Sequence, residues 1–298
     1  MSMKDSLLYV LTIIIWGSTW IGIKFQLGTV DPMVSVVYRF ALSSVILLVF
    51  CKLRGLSLKF SFKDHGFMAL LGLLLFSVNY WLVYVAEVYL TSGLVAVLFS
   101  SIVFLNIANG ALFLGAPVER KMVVGAAVGI VGIGLIFMHE IESFDLTDKN
   151  LLGIAFGFSS VLLASLGNIT SARNSRADIP VIQANAFGMG YGALALAILA
   201  ISLGKSFDFS MTLPYVSSLF YLAVFGSIIA FTSYLTLIRS LGADKASYSI
   251  MVVPVVALII SSFVEGYVWS FSAIAGLILV VGGNFLALHR PAPPGTSR

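Results

Sequence analysis

About ten apolar stretches, each long enough to cross a bilayer, follow one another along this chain of 298 residues. Lipid offers no partner to a backbone amide or carbonyl, so such a chain must satisfy its own hydrogen bonds within helices or a closed barrel. Strand-sized alternation of polar and apolar residues is absent, which excludes an outer-membrane barrel. The composition agrees: 59% of residues are hydrophobic and 10% charged, where soluble domains carry roughly 25% charged residues. The expected fold is therefore all-α and polytopic, with spans near Leu7–Lys24, Met33–Lys52, Gly66–Tyr89, Thr91–Leu114 and Met122–His139. A second set falls near Leu151–Ser171, Val181–Leu203, Leu213–Ile238, Ala246–Val264 and Trp269–Leu288.

The first apolar run exceeds a secretory h-region and no A-x-A cleavage site follows, so it reads as a permanent span. One cysteine, Cys51, excludes an internal disulfide. The pI near 9.1 comes from cations dispersed over loops, not clustered with aromatics, so no nucleic-acid partner is expected.

Those cations set the orientation. With the N-terminus in the cytoplasm, alternate loops collect Lys4; Lys52, Arg54, Lys59 and Lys63; Arg120 and Lys121; Arg173 and Arg176; Arg239 and Lys245; then Arg290 and Arg298. The opposite face receives Lys149 and Lys205, so the balance is 13 against 2, with Lys24 and Arg39 left at membrane depth. The positive-inside rule then puts both termini in the cytoplasm. The acidic loop 140–150 lies outside and divides a first five-helix unit, 1–139, from a second, 151–290, before a cytoplasmic tail, 291–298.

Gly115, Gly125 and Gly132 fall 151 residues before Gly266, Gly276 and Gly283, and Pro32 falls 148 before Pro180. A repeat of five spans is odd-numbered, so its second copy enters the membrane from the other side. Inverted repeats of this kind belong to transporters with a central site between the halves.

Trp16-Gly17-Ser18 in the first span, Tyr38-Arg39-Phe40 in the second, Leu90–Leu114 ending at Gly115, and the Gly-rich fifth and tenth spans carry a resemblance. Across the whole chain they resemble the EamA-type drug/metabolite transporter superfamily, and within it bacterial exporters of aromatic and other neutral amino acids, the YddG type. The resemblance implies ten helices, a central cavity between helices one to four and six to nine, and export across the inner membrane. The family's acid after the Gly closing the fourth or ninth span is replaced here by Ala116 and Tyr267, with Glu119 and Glu265 out of register.

Lys24, Arg39 and Glu87 sit at similar depth on the expected outer side, where charge is costly and is paired or functional. Two readings stand: an Arg39–Glu87 ion pair with Lys24 snorkelling to the interface, or a pair with a surplus cation for a substrate carboxylate. Tyr80, Tyr84 and Glu87 recur at i, i+4, i+7 with Asn79 beside them, and Trp16, Trp20 and Lys24 form a second stripe. These aromatics either pack the core or line a cavity suited to aromatic and aliphatic side chains. Ser100, Ser101, Asn106, Asn109, Ser165, Asn168, Ser227 and Tyr234 add neutral hydrogen-bond groups. A phosphate carrier would need cations at the midplane, so the passage suits a neutral or zwitterionic solute. Gly125, Gly129, Gly132, Gly134, Gly276, Gly282 and Gly283 read as close-packing surfaces, and Pro254, Gly188, Gly190 and Gly192 as candidate bends.

His65, His139 and His289 lie at helix ends, and neither an HExxH motif nor a cysteine cluster is present, so no enzyme, metal or cofactor is expected. The partners are the lipid bilayer and an amino acid. Two fused halves supply both bundles, so a monomer is expected. Glu87 is the sole acid that could serve coupling, and a neighbouring Arg39 would keep it charged. Facilitated diffusion is therefore expected. The alternatives are drug or metabolite efflux by proton antiport, and a lipid flippase or membrane scaffold.

Overall fold

The computed structural model describes residues 3–28, 30–136, 138, 149–241 and 243–288, and among them every regular element is helical. Helix α1 covers Met3–Lys24. Helix α2, Pro32–Leu53, starts where Asp31 accepts from the Met33 amide at 2.9 Å, with Pro32 supplying a fixed φ in the first turn. Ser61 and Asp64 form a reciprocal capping box at the start of α3, Phe62–Leu75. The chain breaks at Phe76-Ser77 and resumes as α4, Val78–Tyr89. Thr91 caps α5, Ser92–Ser100; α6, Ile102–Leu114, follows and ends at Gly115, whose φ of 66° closes it in the left-handed region. After α7, Arg120–Ile136, the second half begins with α8, Lys149–Arg176, and α9, Val181–Ser202. Next come α10, Leu213–Tyr221, a π-helical segment, Leu222–Ile229, and α11, Ala230–Leu241. Helices α12, Ala243–Val264, and α13, Phe271–Leu288, complete the described fold.

Among the described residues, seven helical stretches are long and apolar enough to cross a bilayer: Asp5–Lys24, Pro32–Leu53, Phe62–Tyr89, Ser92–Leu114, Lys149–Arg176, Val181–Ser202 and Leu213–Tyr234. The three other expected spans coincide with α7 and with the shorter apolar helices Val252–Val264 and Phe271–Gly283. Large apolar side chains such as Ile14, Phe113, Ile130, Ile198, Phe263 and Ile278 face outward, whereas Arg39, Asn79, Glu87 and Ser227 are buried. This reversal of the soluble pattern suits a surround of hydrocarbon, and the chain is a multi-pass helical membrane protein.

Helices in lipid gain little from the hydrophobic effect and associate through close packing. Glycine permits it at each main seam. A Cβ on Gly132 of α7 would lie 2.7 Å from the Gly276 carbonyl of α13, and one on Gly283 would lie 2.5 Å from that of Gly125. Gly72 of α3 meets Gly188 and Gly192 of α9 with equal intimacy, so those α9 glycines are contact points within one continuous helix. Pro254 likewise lies inside the uninterrupted α12. The irregularities fall elsewhere, at Phe76-Ser77, at Ser101 and in the π segment. Residues 140–148 of the acidic loop and the whole tail 291–298 lie outside the described residues.

Candidate functional site

A central cavity of about 850 Å³, its mouth included, lies among α1, α2, α4, α5, α8, α11 and α12. Trp16, Thr19, Trp20 and Ile23 come from α1, Asn79, Tyr80 and Val83 from α4, and Ala96, Phe99 and Ser100 from α5. Arg39, Leu75, Ile102, Ala164, Asn168, Phe231, Tyr234, Ile250 and Val253 complete the wall. Aromatic rings dominate it. Trp16 packs edge-on against Phe231 at 5.2 Å and tilted on Tyr234 at 5.0 Å, while Trp20 meets Phe99 at 5.4 Å. The Trp16 indole donates to the Gly226 carbonyl at 3.3 Å, tying α1 to the π segment.

Arg39 is the one charged residue of that wall among the described residues. Its guanidinium is 1% exposed, lies 4.6 Å from the Tyr80 ring centre and 5.2 Å from that of Phe40, and donates through Nε to Ser227 Oγ at 3.0 Å. A cation over aromatic faces gains from the ring quadrupole when water is excluded. The π segment makes the contact possible: the extra residue per turn brings Ser227 Oγ onto the Leu222 carbonyl at 2.9 Å and turns Ser227 toward α2. Gly226 beside it leaves room, since a Cβ there would lie 3.2 Å from Arg39 Nη2. Arg39 Nη1, Trp20 Nε1 and Asn79 Oδ1 are without hydrogen-bond partners among the described residues.

The expected Arg39–Glu87 ion pair is not formed. Arg39 is engaged at Tyr80, and Glu87 lies seven residues further along α4, about 10 Å at helical rise. Lys24 does not snorkel to the interface either. Its ammonium donates to the Glu87 and Leu90 carbonyls, the latter at 2.9 Å, and pairs with Glu265 Oε1 at 3.6 Å. Glu265 in turn accepts from the Ser92 amide, the Ser92 hydroxyl and, at 2.7 Å, the Ser261 hydroxyl.

Of the candidates read from sequence, Trp16, Trp20, Arg39, Asn79, Tyr80, Ser100, Asn168 and Tyr234 meet at the cavity. Ser227 touches it through Arg39. Tyr84 and Glu87 are fully buried behind the wall, and the Ser101 hydroxyl returns to the Leu98 carbonyl of its own helix. The asparagines join helices: Asn109 donates to Ser165 at 2.8 Å, Asn168 to Asn106 at 3.4 Å, and Asn79 to the Ser160 carbonyl. Phe99, Phe231 and the Ser92–Glu265 contact were missed. Phe231 and Tyr234 do carry a signal in their i, i+3 spacing, whereas nothing in the local sequence joins Ser92 to Glu265.

A helical membrane protein built around a central cavity of aromatic and aliphatic side chains with a single buried cation fits the solute-transporter class. Residues 3–138 and 151–288 each match the EamA-like transporter family, and the chain belongs to that family. The inner membrane transporter YedA of Escherichia coli K12, described as uncharacterized, is 31% identical over 85% of this chain and 80% of its own length. Protein PagO of Salmonella typhimurium is 24% identical over 98% of this chain and 95% of itself. A solved crystal structure, 17% identical, superposes with a TM-score of 0.70 over 96% of this chain and 97% of its own, a likeness of fold.

Proposed function

We propose that this protein exports neutral amino acids, aromatic ones included, across the bacterial inner membrane by alternating access. The observation that carries the reading is an aromatic cavity whose one charge, Arg39, has an unpartnered Nη1. A zwitterion matches that inventory. Its carboxylate would pair with Arg39 and Trp20 Nε1, its ammonium would meet Asn79 Oδ1, and its side chain would lie against Trp16, Phe99 and Phe231. An organic cation would meet Arg39 with no carboxylate in the wall to offset it, which disfavours cationic drug efflux.

Ten spans in two inverted repeats, 1–139 and 151–290, are supported by the exchange of partners between halves. Helix α1 packs on α11 and α12, while α8, its counterpart, packs on α3–α4 and α5–α6; α2 pairs with α9 and α7 with α13. The cation asymmetry supports cytoplasmic termini. Two fused halves complete the cavity within one chain, which favours a monomer. Facilitated diffusion remains the favoured mode, supported by a cavity wall without Asp or Glu among the described residues, although Arg39 does not pair with Glu87.

Proteoliposomes loaded with unlabelled phenylalanine should take up labelled phenylalanine by counterflow, and leucine or tryptophan outside should compete. No counterflow with any amino acid, but flux of an organic cation, would overturn the reading in favour of drug efflux.

A further inference from the structure

Beyond the cavity, at the end of α1, four polar groups meet that substrate binding does not use. Lys24 closes α1, Glu87 sits in the last turn of α4, Ser92 opens α5, and Glu265 follows α12. Their contacts bridge α1, α4 and α5 to α12, where the helices also touch through Gly93: a Cβ there would lie 2.7 Å from Leu258. Ile23 and Val83, one residue and one turn away, are cavity wall. This cluster therefore lies at one end of the cavity.

The cluster holds two carboxyls and one ammonium, and they are treated unequally. Glu265 has Lys24, two hydroxyls and an amide, and its side chain keeps 12% exposure. Glu87 is fully buried, and neither carboxyl oxygen has a hydrogen-bond partner among the described residues. The charged groups acting on it are Lys24 from α1, Arg39 from α2 and Glu265 from beyond α12. The face of α8 against this part of α4 presents Gly153, Gly157 and Ser160, and the charges of α3, Lys63 and Asp64, lie at its far end. An ionised carboxylate in such a site carries a large desolvation cost until a cation reaches it. Yet Lys24 Nζ already touches the backbone carbonyl of Glu87 itself. Lys24 is also the foremost cation acting on the Glu87 carboxyl.

We infer that Lys24 is a switch between two carboxyls: it holds Glu265 while Glu87 carries a proton, and moves to Glu87 when that proton leaves. The proton passes between water and a Glu87 carboxylate oxygen, and the charge of the cluster changes by one. When Lys24 leaves, Glu265 has a site near the helix end where water can replace the lost partner, and α12 is freed from α1 and α5. Proton binding at Glu87 thus closes this end of the cavity, which on the proposed topology is the outer end. A transporter so built would be returned toward the cytoplasm by external acid.

Distances between spin labels on Val88 and Val268, both exposed and flanking the cluster, test this in nanodiscs on a Cys51→Ser background. No amino acid is added, so failure here leaves the transport reading intact, and failure of counterflow leaves the switch intact. Between about pH 5.5 and about pH 8.5, a longer-distance population should rise about tenfold or more. Glu87→Gln should keep the short distance at both values, and Glu265→Gln should show the long one at both. The proposal falls if the parent shows no change with pH, if Glu87→Gln shifts as the parent does, or if Glu265→Gln stays short.

Discussion

Arg39 Nε donates to Ser227 Oγ at 3.0 Å, joining the second helix of the first half to the π segment of the second. The bond fixes one edge of a guanidinium whose plane already lies over Tyr80, so Nη1 is held with little freedom. An ammonium on a flexible stem cannot reproduce both the stacking and the fork. Arg39→Lys should lower counterflow at least about tenfold, equal to about 1.4 kcal/mol, with folded protein retained. Ser227→Ala should weaken it less, since the guanidinium fork and its place over the Tyr80 ring remain. Equal flux in Arg39→Lys and the parent would remove Arg39 from the substrate site.

The aromatic wall makes a separate prediction. Tyr80→Ala removes the ring beneath Arg39 as well as apolar surface, while Trp16→Phe keeps a ring against Phe231 and Tyr234 but loses the donor to Gly226. Counterflow should suffer in both, and competition by tryptophan should weaken more than competition by alanine. Uniform weakening across the amino acid panel would mean that these rings support the fold and do not meet the side chain.

The fold class was legible because bilayer thickness and backbone hydrogen bonding leave so few solutions to an apolar chain. Helical periodicity also placed Trp16, Trp20 and Tyr80 on shared stripes, and these do meet at the cavity. Periodicity sorts residues within one helix only. Which helix Arg39 would reach depended on a π segment that no local residue pattern announced, and the guanidinium went to Ser227 where depth alone had suggested Glu87. Lys24 and Glu265 are 241 residues apart, and only the crossing of α1 with α12 at Gly17 and Val256 brings their ends together. The α9 glycines illustrate the same limit: a flexible residue and a thin one look alike until a neighbouring backbone is seen against it.

Gly132 tests the α7–α13 seam. A Cβ there meets the Gly276 carbonyl at 2.7 Å and the Val280 amide at 2.8 Å, and backbone atoms cannot step aside as a side chain would. Gly132→Val should lower the melting temperature in detergent, by overpacking that costs about 1–3 kcal/mol or more. Gly134→Ala, with nothing within 4 Å of its added carbon, is the matched control and should melt as the parent does. A similar melting temperature for both would show that the seam does not limit stability.

Topology is open to labelling. On a Cys51→Ser background, cysteines at Ser57 and Ser206, both exposed in loops at opposite ends of the bundle, should differ in their reaction with an impermeant thiol reagent. In intact spheroplasts Ser206→Cys should react and Ser57→Cys should not, because the cation-rich loop is retained inside. The reverse pattern would invert the protein in the membrane.

The absence of an Arg39–Glu87 contact has its own consequence. Were the two paired, removing either would strand the other in a dry site, and removing both would restore much of the loss. Their direct contacts are instead separate, although the charge of Arg39 is felt at Glu87: Arg39 is held by Ser227 and Tyr80, and Glu87 lies at the Lys24 end of α4. Arg39→Ala and Glu87→Ala should therefore act nearly independently on melting temperature, with a coupling within about 0.5 kcal/mol. Transport should separate them further, Arg39→Ala losing counterflow at every pH and Glu87→Ala losing the pH dependence of flux. Recovery of stability in the double variant, to near the parent value, would show that the two charges meet after all and would return Arg39 to a structural role.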